Sequence, residues 1–191
     1  FAGPAVAGAD MSSRLTVCNM ALEMGAKFGL FAADGVTDTY LRSHGGAGTE
    51  PFEPDADATY EAVHEIALSN LEPQVALPHE VDQVSPVTEV EGISLNQAFI
   101  GSCTNGRIED LRAAAEVLAG HHIAPGMRLL VAPASRAVLG EALETGVAAA
   151  LVEAGASILA PGCGPCFGGH GGLLAPGERC IGTHNRNFIG R

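Results

Sequence analysis

Apolar residues recur at helical spacing from Thr16 to Phe28, where Val17, Met20, Leu22, Met24 and Phe28 supply the bulk. Asn19 and Glu23 are four apart in that stretch, a spacing that puts two residues on one helix face. A glycine- and acid-rich loop is expected from Ser43 to Asp57. A second helix is expected from Thr59 to Asn70, with Tyr60, Val63, Ile66 and Ala67 on one side. Pro73, Pro78 and Pro86 punctuate the following stretch and forbid a long helix there.

Beyond residue 88 the pattern changes. Leu95 to Ile100 reads as a strand that runs into a Gly-Ser-Cys-Thr-Asn-Gly turn. A helix from Arg107 to Ala119 follows, with Ile108, Leu111, Ala115 and Leu118 as its apolar stripe. Met127 to Ala132 is a second strand, and Pro133-Ala134-Ser135 starts the next turn. Helix recurs between Arg136 and Glu153, broken near Gly146, and Ser157 to Ala160 is a third, short strand. Strands alternating with helices imply an α/β fold with a parallel sheet. Residues 1–88 and 89–191 are therefore read as two domains. In open parallel sheets ligands bind beyond the carboxyl ends of the strands. Cys103 and Cys163 each lie three residues past a strand end, on what is then one edge of the sheet.

Composition narrows the classes. The 191 residues can bury a real core, and no apolar run is long enough to cross a bilayer. The net charge of −12, with Lys27 the single lysine beside nine arginines, argues against nonspecific binding to nucleic acid or an anionic membrane. Local arginines can still hold small anions. Phe1 in place of Met suggests an internal or processed start. Five cysteines in no disulfide-scaffold spacing point to a reducing, cytoplasmic setting with metal or redox use of some thiols.

Cys103, Cys163 and Cys166 are the candidates. Three thiolates are one short of filling a four-iron cluster, and an iron left without a protein ligand can act on substrate as a Lewis acid. Three alternatives compete. Cys163-Gly164-Pro165-Cys166 matches the thioredoxin tetrapeptide, but the four glycines among the next six residues do not sustain its long helix. A zinc site of the three cysteines with a histidine such as His170 lacks compact paired spacing. Buried structural thiols are the plain alternative, and the one favoured for Cys18 and Cys180.

Gly101-Ser102-Cys103-Thr104-Asn105, Gly162-Cys163-Gly164-Pro165-Cys166 and Asn185-Arg186-Asn187-Phe188-Ile189-Gly190-Arg191 resemble, in order, the cluster and substrate signatures of the aconitase superfamily. The nearest likeness is to the large subunits of its 3-isopropylmalate dehydratase (isopropylmalate isomerase) and homoaconitase branch. Thr16-Val17-Cys18-Asn19-Met20-Ala21-Leu22-Glu23 resembles that family's active-site helix, and Leu174 to Arg179 also fits.

The resemblance implies three-layer aconitase-like domains with parallel sheets flanked by helices. Residues 1–88 would be part of the central domain and 89–191 the cluster-binding domain. It implies a [4Fe-4S] cluster on Cys103, Cys163 and Cys166 with one iron not ligated by protein. Arg186 and Arg191 would bind substrate carboxylates, and Asn185 and Asn105 would hydrogen-bond around the cluster. Glu23 and Asn19 would serve at the iron-bound water. The activity implied is a hydro-lyase that moves a hydroxyl between adjacent carbons of a hydroxy-dicarboxylate, in leucine biosynthesis. The partner implied is a small subunit carrying a swivelling domain. By the family's pattern a segment precedes Phe1 and the chain continues past Arg191.

Overall fold

The computed structural model describes residues 1–47, 53–169 and 171–189. Two compact units divide the chain, Phe1–Pro73 and Gln74–Arg191. Of the proline-rich stretch before residue 88, Pro73 closes the first unit and Pro78 and Pro86 fall in the second.

In the first unit, α1 (Pro4–Ala7) and α2 (Met11–Ala21) are followed by a 3₁₀ turn at Leu22–Met24 and by α3 (Gly35–Ser43). The unit is organised around a charge. Arg14 is 2% exposed, and its guanidinium grips both Asp34 oxygens, at 2.8 and 2.7 Å. It also donates to the carbonyls of Ala9 and Val6. Asp34 in turn accepts from the backbone N–H groups of Val36 and Thr37 and so caps α3. Hydrogen bonds from Arg14 and then from Thr37 hold its carboxyl far below the usual carboxylate range.

Three expectations are corrected in this unit. The first helix starts earlier than Thr16, because Asp10 caps it by accepting from Ser13 N at 2.7 Å. It stops at Ala21 and tightens to the 3₁₀ turn, which Gly25 ends in the left-handed region at φ 81°. The α3 helix was not legible in a β-branched, polar stretch; its cap and the Arg14 pair supply what propensity does not. No helix forms over Thr59 to Asn70 beyond a 3₁₀ turn at Leu68–Asn70, and Tyr60, Val63 and Ile66 are exposed. A short amphipathic helix is marginal without a surface for its apolar side, and no residue from 53 to 73 is buried. The loop expected from Ser43 to Asp57 falls in part outside the described residues.

The second unit opens with an antiparallel hairpin, β1 (Gln74–Ala76) and β2 (Val84–Pro86). Its sheet is fully parallel: β3 (Gln97–Gly101), β4 (Arg128–Ala132), β5 (Ala156–Ile158) and β6 (Cys180–Gly182), in the order β5-β4-β3-β6. Helices α5 (Ile108–Leu118), α6 (Arg136–Glu144) and α7 (Val147–Glu153) connect β3, β4 and β5. Expected and observed elements agree within about two residues here. Gly146, at φ 80°, makes the break between α6 and α7.

The alternation along β4 sorts the core. Leu129 and Val131 pack with Ile108, Leu111, Ala142, Ala148, Leu151 and Ala156 under the helices. Leu130 and Ala132 face the other way and pack with Phe99 and Cys166. A strand apolar on both faces is the mark of a central parallel strand. The second face of the sheet thus receives the cysteine turn itself. The fold is α/β.

Replacing the fully buried Leu151 with alanine is expected to cost about 3 kcal/mol in urea unfolding. Val152→Ala, at an exposed position on the same helix, is expected to cost under about 0.5 kcal/mol.

Candidate functional site

The strand order reverses at β3: β4 and β5 lie to one side of it, and the chain returns to place β6 on the other. Such a switch point leaves a crevice at the carboxyl ends of the strands, the place where open α/β sheets bind ligands. All three sequence motifs leave strands at this edge. Cys103 follows β3 in a single helical turn, α4 (Ser102–Asn105). Cys163 and Cys166 follow β5, Cys163 capping a 3₁₀ turn at Gly164–Phe167 and Cys166 lying within it. Asn185 and Arg186 follow β6.

Glycine fixes how closely the first motif can pack. A Cβ on Gly101, whose φ is 135°, would lie 2.1 Å from the carbonyl oxygen of Ala132, and one on Gly106 2.6 Å from the same atom. The turn therefore sits directly on the end of β4, and Ala134 N donates to Gly106 O at 2.8 Å. Between these glycines Ser102 is fully buried at φ 67°, the only non-glycine residue of positive φ among the described residues. Its hydroxyl has no hydrogen-bond partner among the described residues. The backbone strain costs about 1–2 kcal/mol, and the orphaned hydroxyl about 1–3 kcal/mol.

One amide joins the motifs. Asn185 is buried, and its Oδ1 accepts from Thr104 Oγ1 at 3.0 Å and lies 3.9 Å from Cys166 Sγ. Asn105 Nδ2 donates to Thr183 O at 2.6 Å, and Thr183 Oγ1 accepts from Gly101 N at 3.2 Å. Arg107, buried, donates to the carbonyl of Thr104. Asn187 Nδ2 donates to Leu77 O and Glu80 O, which ties the Asn-Arg-Asn segment to the chain between β1 and β2. Arg186 stacks its guanidinium over the Phe188 ring, 5.8 Å from its centroid. Thr104, Thr183 and Ser102 were not singled out from the sequence. Thr104 and Ser102 stand inside a quoted motif, but nothing in the sequence tells a buried hydroxyl from an exposed one.

Of the remaining candidates, Asn19 lies on α2 and Glu23 in the 3₁₀ turn after it, both half-buried in the first unit. The shared helix face argued for them therefore ends at Ala21. Arg191 and His170 lie outside the described residues. Cys18 Sγ donates to Gly29 O at 3.2 Å, and burial pushes its thiol pKa up. Cys180 sits in β6, where Gln97 Nε2 donates to its sulfur at 3.6 Å.

A second network backs the site. Arg128 pairs both guanidinium nitrogens with Glu178, at 2.8 and 2.7 Å, and donates from Nε to Gln97 Oε1. Gln97 Nε2 donates to Gly172 O at 2.8 Å, anchoring the glycine-rich segment behind the cysteine turn.

The cysteine arrangement sets the rivals apart. None of the five cysteines is in a disulfide, and Gly168, in the left-handed region at φ 75°, ends the turn after Cys166. A thioredoxin site continues into a helix at that point. Among the described residues no three His, Cys, Asp or Glu gather round a single metal ion, as a mononuclear zinc site requires. A four-iron cluster makes a different demand, since each thiolate holds its own iron. Cys103 and Cys163 are exposed and Cys166 is buried beside an amide. Ser102 adds a buried hydroxyl that lacks a partner among the described residues. This donor set fits such a cluster.

The site is thus the carboxyl edge of an α/β sheet at its switch point, with the Cys103 turn after β3 and the Cys163–Cys166 turn after β5. The chain belongs to the aconitase family: the model of the aconitase family (aconitate hydratase) matches residues 1–92 and 85–191. It is 53% identical over 191 residues to 3-isopropylmalate dehydratase large subunit 1 of Methanopyrus kandleri, covering all of this chain and 46% of that protein. It is 46% identical over 200 residues to the methanogen homoaconitase large subunit of Methanocaldococcus jannaschii, covering 48% of it. The 2,3-dimethylmalate dehydratase large subunit of Eubacterium barkeri is 46% identical over 192 residues, again with 46% of its length covered. The chain thus spans about half the length of these relatives. No helix among the described residues is long and apolar enough to cross a membrane.

Two outcomes are expected. Asn185→Ala removes the acceptor of the buried Thr104 Oγ1 bond and should cost about 1–3 kcal/mol in urea unfolding. The second concerns pH. The hydrogen bonds from Arg128, then from Ala175 N, hold the Glu178 carboxyl down to about 2 from an ordinary 4.5. The folded state thus binds this proton less readily than the unfolded chain. The contribution is complete above pH 4.5 and is lost as pH falls toward 2. Glu178→Gln should lower the thermal midpoint at neutral pH, and its deficit against wild type should close across that window.

Proposed function

We propose that this chain is the cluster-bearing part of the large subunit of an iron–sulfur hydro-lyase of the 3-isopropylmalate dehydratase kind. The observation that carries the reading is the Thr104–Asn185–Cys166 hydrogen-bonded link. It links the Cys103 turn, the Cys163–Cys166 turn and the segment that begins at Asn185. Aconitase-family membership supports the cofactor, since proteins of the family carry a [4Fe-4S] cluster.

Cys103, Cys163 and Cys166 would hold three irons of that cluster as thiolates. When bound, it supplies a Lewis-acidic iron with no protein ligand, suited to a departing hydroxyl. Arg186 and Arg191 bind the substrate carboxylates. A guanidinium presents a planar fork matched to a carboxylate and stays charged at every relevant pH. The Phe188 ring under Arg186 limits the guanidinium's freedom and so lowers the entropy lost on binding.

Asn185 adapts to the charge on Cys166. Beside a thiol, its Oδ1 can accept the S–H hydrogen. Beside a thiolate, a half-turn of the amide presents its NH₂ group to the sulfur, and the Thr104 hydroxyl accepts instead of donating. Asn105 keeps the end of β6 against the Cys103 turn through Thr183 O. Glu23 exchanges a proton with water at the reacting centre, and Asn19 hydrogen-bonds beside it.

The relatives named as large subunits support a small-subunit partner carrying the swivelling domain. A three-layer arrangement with helices on both sheet faces belongs to that assembled enzyme, in a cytoplasmic setting. The substrate is a hydroxy-dicarboxylate, with leucine biosynthesis as the setting. Homoaconitase-type relatives at similar identity favour a longer hydroxy-tricarboxylate as the second reading.

The test is anaerobic reconstitution of the full chain with iron and sulfide, a small subunit supplied, and assay of isopropylmalate, homocitrate and citrate. Turnover of isopropylmalate is expected. Cys103→Ser, Cys163→Ser and Cys166→Ser should each lower kcat by about 100-fold or more, the scale of loss for metal-centre groups. A fully loaded pair that turns over none of the three substrates would contradict the assignment.

A further inference from the structure

Ser102 carries two unfavourable features with no visible return. It is fully buried at φ 67°, a conformation that glycine adopts without strain, and its hydroxyl has no hydrogen-bond partner among the described residues. Glycine would remove both features. The chain places glycine at the neighbouring positions 101 and 106, where the backbone approaches Ala132 too closely for any Cβ. Backbone geometry therefore does not explain a serine at 102. Ser102 directly precedes the exposed Cys103, in the same turn as the buried Thr104.

We propose that the Ser102 hydroxyl donates a hydrogen bond to a sulfur of the cluster anchored at Cys103, either the thiolate or an adjacent sulfide. The inference rests on the proposed cluster function. The bond forms only when the cluster is in place, which accounts for the orphaned donor in the protein alone. A hydrogen bond to sulfur withdraws charge from the iron–sulfur unit, raises its reduction potential and slows loss of iron to oxidants. The cluster also makes the strained turn worth keeping, because a serine can reach its sulfur and a glycine cannot.

The test compares wild type, Ser102→Gly and Ser102→Ala in the full chain with its small subunit. The two substitutions separate hydroxyl from backbone. Both remove the donor, and only glycine relieves the positive φ. In the protein without iron, Ser102→Gly should raise the thermal midpoint. In the iron-loaded protein, both variants should lower the cluster's reduction potential. Both should also lose visible cluster absorbance in air about tenfold faster than wild type, within the range for groups that hydrogen-bond at a metal centre. Equal potentials and equal decay in all three proteins would overturn the proposal. So would a change confined to Ser102→Gly, which would trace the effect to the backbone. A lower midpoint for both iron-free variants, with cluster properties unchanged, would show a structural hydroxyl and also overturn it. If wild type itself takes up no cluster, the proposed function fails first, an outcome distinct from equal behaviour of three loaded proteins.

Discussion

The site depends on an approach distance. The Gly-Ser-Cys-Thr-Asn-Gly turn can lie on the end of β4 only because Gly101 and Gly106 present no Cβ to the Ala132 carbonyl. That contact fixes the height of Cys103 above the sheet and buries Thr104, whose hydroxyl then reaches Asn185. Residues about eighty positions apart in the chain are thereby held by one hydrogen bond. A larger residue at either glycine would lift the turn and break the link without touching a cysteine.

The sheet supplies the second half of the arrangement. Period-two alternation along β4 commits Leu129 and Val131 to the helices and leaves Leu130 and Ala132 for the opposite face. Cys166 packs on that face, so the cysteine turn is part of a hydrophobic cluster and not a loop hung from the edge. Chemistry and core share residues. The same sharing places a strained, unsatisfied serine where a soluble fold alone would favour glycine.

Much of the second unit was legible because its elements are long, periodic and well punctuated. The strand before Cys103, the helix with its Ile108–Leu111–Leu118 stripe and the break at Gly146 follow from spacing alone. Strand β6 was missed because three residues carry no period. In the first unit the sequence misled, since Tyr60, Val63 and Ile66 have helical spacing but nothing to pack against, and a period without a partner surface does not make a helix. The start of α2 and the existence of α3 turn on Asp10, Arg14 and Asp34, polar contacts that hydrophobic patterning cannot register. The cysteines and Asn185 were visible as motifs. That Thr104 connects them was not, because a hydroxyl's partner is a property of the folded chain.

The central claim is that three thiolates support four irons and leave one chemically distinct. Mössbauer spectroscopy on protein loaded with enriched iron tests it directly. The account predicts a three-to-one division of iron signals, with the minority signal alone shifting when a hydroxy-dicarboxylate is added and vanishing on mild oxidation. Four equivalent irons indifferent to the added acid, or a protein that binds no cluster with all three cysteines intact, would contradict it.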